Sequence, residues 1–175
     1  MFTARLAGRA TRMVGACNKN GAFYALQSNR LSTGPVWTFQ VGDAASSSSI
    51  NQCNAAAIWD GSRLYVASNT TVIDGVTYNG SIRQLDASTG TPIWETGLPA
   101  QILGTPTEDG AGVIAAASWD TSGAPQAAYL LDASSGSLLA TLSTSGSKVF
   151  AQPVFADGYL LLATQSAGLI AYRPA

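Results

Sequence analysis

Short apolar segments alternate with polar turns along the chain, and one such turn recurs. The stretch QLDASTGTPIW, from Gln84 to Trp94, returns in degraded form as LLDASSGSLLA, from Leu130 to Ala140. Each copy has an apolar segment, a turn that begins with Asp and ends with Gly, and a second apolar segment. Asp accepts hydrogen bonds from turn amides and Gly adopts positive φ, so the pattern predicts two β-hairpins. Their turns run from Asp86 to Gly90 and from Asp132 to Gly136.

Looser copies of this pattern lie near both ends of the chain. GAFYALQSNRLSTGPVW keeps the apolar segment, Gly34 and Trp37, and GLIAYRPA supplies an apolar segment through Tyr172. An Asp-Gly pair precedes a short apolar segment three times, at 60–61, 109–110 and 157–158. The apolar segments, compared at Leu26, Leu85, Leu131 and Tyr172, lie 59, 46 and 41 residues apart, and the Asp-Gly pairs lie 49 and 48 residues apart. These intervals suit one four-stranded unit per repeat, which typically has about 40 to 50 residues. The sequence therefore predicts an all-β repeat fold.

The pattern Leu-Asp-Ala-Ser-Thr-Gly-x-x-x-Trp, with its Asp-Gly partner, resembles the pyrroloquinoline-quinone (PQQ) repeat family of β-propellers. The resemblance covers nearly all of the chain after Arg12. It implies an all-β propeller segment of about three and a half four-stranded antiparallel blades, forming one partial domain over residues 1–175. The repeats are expected at about 11–41, 54–98, 103–142 and 150–173. In this family the blade tryptophan docks against the next blade; Trp37 and Trp94 keep this ring, whereas Ala140 loses it.

The first blade is expected to be incomplete, with three strands between Arg12 and Val41. Arginines at 5, 9 and 12 have no apolar segment between them that would make a signal peptide. On this interpretation the chain opens inside a blade and forms the C-terminal part of a longer protein. The remaining blades of that protein are then its first expected partner.

Bulk properties exclude several functions. The chain has 175 residues, of which 46% are hydrophobic and 11% charged, and its net charge is -1. Its nine Lys and Arg residues stand singly in the sequence, which argues against a nucleic-acid partner. No apolar run approaches the roughly 18 residues of a membrane span. The absence of histidine excludes Ser-His-Asp and Cys-His catalysis within this chain.

The two cysteines are expected to lie on one face of the propeller, in adjacent blades. Cys17 ends a predicted second strand, and Cys53 precedes the innermost strand of the next blade. A disulfide forms if their Cα atoms lie about 4.4 to 6.8 Å apart; two buried free thiols are the alternative. Members of the family are usually periplasmic, secreted or surface-anchored, and that location would favour pairing. PQQ dehydrogenases often carry a pair of adjacent cysteines, which this chain lacks.

Candidate ligand-binding residues lie in loops expected at the axial mouth of the propeller. They are the polar or aromatic side chains of Lys19, Asn54, Trp119, Asp120 and Lys148. A quinone-linked dehydrogenase also needs calcium and an aspartate base. Five of the eight aspartates belong to predicted turns and no paired carboxylates are visible, so neither a metal site nor a cofactor is predicted.

Two functional classes remain open. One is a non-catalytic scaffold that binds a peptide or polymer across the blade loops. The other is the C-terminal part of a PQQ-dependent alcohol or sugar dehydrogenase, which would require PQQ and calcium. Function resides in sites placed on a fold, so the repeat does not separate the two. The assignment of most acidic residues to turns favours the scaffold and leaves enzymatic activity undecided.

Overall fold

The computed structural model describes residues 1–43 and 53–173. It confirms the predicted all-β propeller segment, with three four-stranded antiparallel sheets and one three-stranded sheet. Within each sheet the strands follow the order of the chain, apart from a hairpin inserted in the second. We call the four sheets blades 1 to 4.

Blade 1 has one strand more than the sequence predicts. It consists of β1 (Phe2–Leu6), β2 (Arg9–Cys17), β3 (Ala22–Gln27) and β4 (Trp37–Gln40), with a 3-10 turn at Leu31–Thr33 before β4. The additional strand is β1, which pairs with β2 from Phe2–Met13 to Leu6–Arg9. Ala7 and Gly8 join the two strands with φ of 47° and 79°. This two-residue turn matches the twist of a hairpin, although it lacks the Asp of the other turns.

Blades 2 to 4 follow the predicted repeat. Blade 2 contains β5 (Ile58–Trp59), β6 (Leu64–Ser68), β9 (Gly80–Leu85) and β10 (Pro92–Leu98). The inserted hairpin, β7 (Thr71–Ile73) and β8 (Val76–Tyr78), lies between β6 and β9. Blade 3 contains β11 (Thr107–Glu108), β12 (Val113–Ala117), β13 (Ala127–Asp132) and β14 (Leu138–Ser143). Blade 4 contains β15 (Val154–Ala156), β16 (Tyr159–Ala163) and β17 (Leu169–Tyr172).

Among the described residues, the hydrophobic core lies between the blades, in three clusters. Strand β6 shows the reason, because neighbouring blades cover both of its faces. Leu64 and Val66 pack towards blade 1, whereas Tyr65 and Ala67 pack towards blade 3. A strand buried on both faces reads as a continuous apolar run rather than an alternating one. This explains the unbroken apolar segments that mark each repeat.

Two tryptophans join consecutive blades through the same contact. The indole Nε1–H of Trp37 donates to the carbonyl of Ala87 (3.0 Å), and that of Trp94 donates to the carbonyl of Ala133 (3.1 Å). Both carbonyls belong to the Asp-to-Gly turns of the following blade. A Cβ atom added to Gly90 would lie 2.4 Å from the Trp37 ring, and one added to Gly136 would lie 2.4 Å from the Trp94 ring.

The glycines in these turns therefore meet two requirements at once. Gly90 and Gly136 have φ of 76° and 73°, a region that L side chains rarely adopt. Each also leaves the space into which the preceding blade's indole ring packs. The turns themselves are held by Asp86 and Asp132, whose Oδ1 atoms accept backbone amides two and three residues later.

Blades 1 and 2 are also joined by a buried arginine. Arg83, which is 1% exposed, donates to the carbonyl of Val41 (2.7 Å) and to Thr71 Oγ1 (2.8 Å). It forms an ion pair with Glu95, and its guanidinium lies 5.8 Å from the centre of the Phe39 ring. Burial lowers the pKa of Arg83, and Glu95 opposes that shift. The charge is thus paired and hydrogen-bonded, as a buried charge must be.

A disulfide joins the same two blades. Cys17 at the end of β2 is bonded to Cys53, with a Cα–Cα distance of 5.2 Å across 36 residues of sequence. This separation lies inside the range that disulfide geometry permits. Residues 44–52, within that span, lie outside the described residues.

Three glycine-to-alanine substitutions separate the effects of the tryptophan contact and of positive φ. At Gly90 the new methyl group would clash with the Trp37 ring and the backbone φ is positive. At Gly158 the φ is positive (78°) but the space is open. At Gly110 the space is open and φ is not positive. We expect losses in the free energy of unfolding of about 2–4, about 1 and under about 0.5 kcal/mol, respectively. Urea denaturation measures all three; equal losses for Gly90→Ala and Gly158→Ala would contradict the contact.

The disulfide predicts a thiol count. Protein made in an oxidising compartment should show no titratable thiol when unfolded without reductant, because the described chain has no free cysteine. Reduction should release both thiols and lower stability by roughly 2–4 kcal/mol. A Cys17→Ser/Cys53→Ser variant should have the same free energy of unfolding as the reduced protein. Adding reductant should not change that value. Two thiols titrating before reduction would contradict the bridge.

Candidate functional site

The loops at one end of blades 3 and 4 are interlocked by backbone hydrogen bonds. They are residues 99–106, 118–126, 144–153 and 164–168, which we call the loop face. The amide of Trp119 donates to the carbonyl of Gln101 (3.0 Å), Val149 to Ser118 (2.8 Å), and Gln165 to Lys148 (2.8 Å). Each loop that enters a blade is thereby fixed to the loop that joins that blade's middle strands. Side chains on this face consequently sit on a rigid support.

Three side chains on the loop face form one aromatic and cationic group, the Trp119 cluster. Lys148 Nζ lies 5.6 Å from the centre of the Trp119 ring, and Phe150 meets that ring edge-on at 5.8 Å between centroids. Val149 between them is fully buried, so Lys148 and Phe150 point away from the core. Phe150 is 58% exposed. The exposed Phe150 beside the half-buried Trp119 offers apolar area, and Lys148 offers a partner for a carboxylate.

The candidate residue Asp120 lies inside the loop that presents Trp119. Its carboxylate is buried and accepts the backbone amides of Gln101 (3.0 Å), Ser122 (2.8 Å) and Ala124 (3.0 Å). The side chain of Gln126 also binds the backbone of Asp120 from both its oxygen and its nitrogen. These hydrogen bonds occupy both carboxylate oxygens. Asp120 therefore shapes the loop that presents Trp119 and offers no free oxygen to a ligand.

The structure brings together only part of the predicted set. Trp119 and Lys148 are in contact, whereas Lys19 lies exposed in the turn between β2 and β3 of blade 1. No contact joins Lys19 or Asn54 to the Trp119 cluster among the residues that the structure describes. Sequence reasoning missed Phe150. Its signal was the alternation Lys148-Val149-Phe150, which places the first and third side chains on one side of an extended segment.

The Trp119 cluster does not fit a quinone and its calcium ion. Calcium takes six to eight oxygen ligands, and the nearest carboxylate, Asp120, is already satisfied by the loop. Within residues 1–43 and 53–173, no group of three His, Cys, Asp or Glu residues is arranged to hold a metal ion.

A second concave site lies between blades 2 and 3, away from the loop face. It has a volume of about 900 Å³ and is lined by polar groups that include Asp60, Arg63, Glu108 and Asp109. Glu108 Oε2 is buried and has no hydrogen-bond partner among the described residues. Burial raises the pKa of Glu108, the charge of Asp60 raises it further, and Arg63 partly opposes both.

Comparison with known proteins gives a family and a fold. The profile of the family described as "Outer membrane protein assembly factor BamB" matches residues 25–175. No curated protein matches the sequence. No helix within the described residues is long and apolar enough to cross a membrane.

Several solved structures share the propeller fold. BamB from Moraxella catarrhalis superposes with a TM-score of 0.61 at 18% identity, covering 97% of this chain and 48% of that one. Sqt1 from Saccharomyces cerevisiae gives 0.62 at 13% identity, covering 93% of this chain and 41% of that one. The C-terminal WD40 domain of Sif2 gives 0.65 at 14%, covering 95% of this chain and 47% of that one. This chain thus spans less than half the length of each, and at these identities the likeness shows the fold alone.

Glu108 predicts a pH-dependent stability. Its pKa in the folded chain lies above the ordinary value of 4.5, so folding favours the protonated form. The stability contributed by this group is complete below about pH 4.5 and is lost as the pH rises through the raised pKa. Glu108→Gln should therefore stabilise the chain at pH 7 and leave it unchanged below pH 4.5.

Urea denaturation across this pH range tests the Glu108 prediction. Asp157→Asn removes a carboxylate from the turn of blade 4, outside this site, and serves as the control for net charge. A Glu108→Gln variant that is less stable than the native chain at pH 7 would contradict the assigned direction.

Proposed function

Because the chain belongs to the PQQ-like repeat propeller family described as outer membrane protein assembly factor BamB, we propose that it is a non-catalytic scaffold for protein binding. The family is described as an assembly factor, and an assembly factor acts on other proteins. The Trp119 cluster supports this role most directly. It presents aromatic surface and one cation on loops that backbone hydrogen bonds hold in place.

The ligand that suits this site is an extended peptide segment. Phe150 and the Trp119 edge offer area to an apolar or aromatic side chain, and Lys148 offers a charge partner to a carboxylate. Binding energy at protein interfaces is concentrated in a few side chains, among which Trp is prominent. Rigid loops lower the ordering cost of binding, which leaves more of the contact energy as affinity.

The proposed location is extracytoplasmic: periplasmic, secreted or at the cell surface. The family is extracytoplasmic, and the Cys17–Cys53 disulfide fits an oxidising compartment. Partners would then be other extracytoplasmic polypeptides or polymers. The dehydrogenase alternative receives no support from the Trp119 cluster, since Asp120 is committed to the loop.

Peptide selection tests the scaffold. Peptides selected from a random display library for binding to this protein should bind it in purified form. Trp119→Ala or Phe150→Ala should weaken that binding roughly tenfold or more. Leu138→Ala removes a side chain of similar exposure, 50%, on β14 and is the matched control. It should leave the affinity unchanged. Circular dichroism and melting of each variant exclude unfolding as the cause.

Two results would count against the scaffold. One is enrichment of peptides that bind Trp119→Ala and Phe150→Ala as tightly as the native chain. The other is saturable binding of PQQ with calcium, accompanied by dye reduction on alcohols or aldoses, which would favour the dehydrogenase.

A further inference from the structure

Three arginines line a groove on blade 1, far in sequence from the Trp119 cluster. The groove has a volume of about 450 Å³ and lies between the start of β2 and the segment after β3. Arg9 and Arg12 form one wall and Arg30 belongs to the other. The amide of Ser28 donates to the carbonyl of Arg12 (3.0 Å), which fixes the two walls together. We call this site the arginine groove.

No carboxylate of this blade neutralises the arginine groove. Residues 1–42 contain five of the nine basic residues of the chain and none of its ten acidic residues. The remaining residues therefore carry four basic and ten acidic side chains. Among the described residues, the ion pair is Arg83–Glu95, so the guanidinium groups of Arg9, Arg12 and Arg30 lack a carboxylate partner.

This distribution gives blade 1 a positive field although the chain as a whole is slightly negative. Interactions between exposed charges are screened over about 8 Å at physiological ionic strength. Acidic residues on distant parts of blades 2 and 3 therefore cancel little of the charge in the groove. All three arginines are exposed.

We propose that the arginine groove binds an acidic segment of a partner polypeptide. A guanidinium presents two parallel N–H donors that match the two oxygens of a carboxylate. Gln27 and Asn29 line the same groove and supply neutral amides that can bind the backbone of such a segment. The groove is concave, and none of its described lining residues is aromatic. This suits a polypeptide better than a flat lipid surface or stacked bases. This site is independent of the proposed Trp119 ligand.

The test uses the full chain and a fluorescent peptide rich in Asp and Glu, with an Asn/Gln counterpart as the neutral control. Arg9→Gln/Arg12→Gln/Arg30→Gln removes the groove cations. The matched control removes three positive charges outside the groove, in the variant Lys19→Gln/Arg63→Gln/Arg173→Gln. Lys19 lies in blade 1 at the end opposite the groove. Fluorescence anisotropy measures the affinity of each protein at several salt concentrations.

We expect the acidic peptide to bind the native chain and the control, and to lose about tenfold or more in affinity for the groove variant. Added salt should weaken the binding, and the neutral peptide should not bind. Equal losses in both triple variants would overturn the proposal, because general charge would then explain the binding.

Two further outcomes would replace the polypeptide with another ligand. Binding of phosphatidylserine vesicles, but not of the acidic peptide, in a groove-dependent manner would assign the site to a lipid surface. If inorganic phosphate displaced the peptide when both are present at the same concentration, the groove would be a simple anion site. Either result would contradict a polypeptide partner.

Discussion

The contact between an indole ring and a glycine turn determines how one blade of this protein meets the next. Trp37 packs on Gly90 and Trp94 packs on Gly136, and each indole N–H donates to a carbonyl of the same turn. The contact requires a turn with positive φ and no Cβ at the point where the ring rests. The carboxylates of Asp86 and Asp132 accept hydrogen bonds from backbone amides of these turns. The short repeat therefore encodes both the hairpin and the junction.

The three junctions between consecutive blades differ in how many stabilising contacts they contain. The first has Trp37, the buried Arg83 and the Cys17–Cys53 disulfide, and the second has Trp94 packed beside Tyr65. At the third, Ala140 stands where the tryptophan would be. An apolar cavity of about 590 Å³ lies between blades 3 and 4, and the interlocked loops join them instead. The junction that lacks a docking tryptophan is thus the one whose loops carry the Trp119 cluster.

The repeat made the fold predictable, because the Asp-to-Gly turn and the Asp-Gly pair specify local structure through backbone geometry. Strand β1 escaped prediction since its turn, Ala7-Gly8, carries neither marker. The site was less predictable. Loop position placed Lys148 and Trp119 on one face, but the hydrogen bond from the Gln101 amide to the Asp120 carboxylate is a tertiary contact that no spacing encodes. The arginines of blade 1 stand apart in sequence and meet only through the β2–β3 pairing.

Hydrogen exchange of the indole N–H groups tests most directly whether tryptophan docking holds the blades together. In a chain labelled with ¹⁵N-tryptophan, Trp→Phe variants assign the four indole signals. The account predicts slow exchange for Trp37 and Trp94, whose N–H groups are hydrogen-bonded to the next blade, and faster exchange for the half-exposed Trp119. Exchange of Trp37 and Trp94 as fast as that of Trp119 would contradict it.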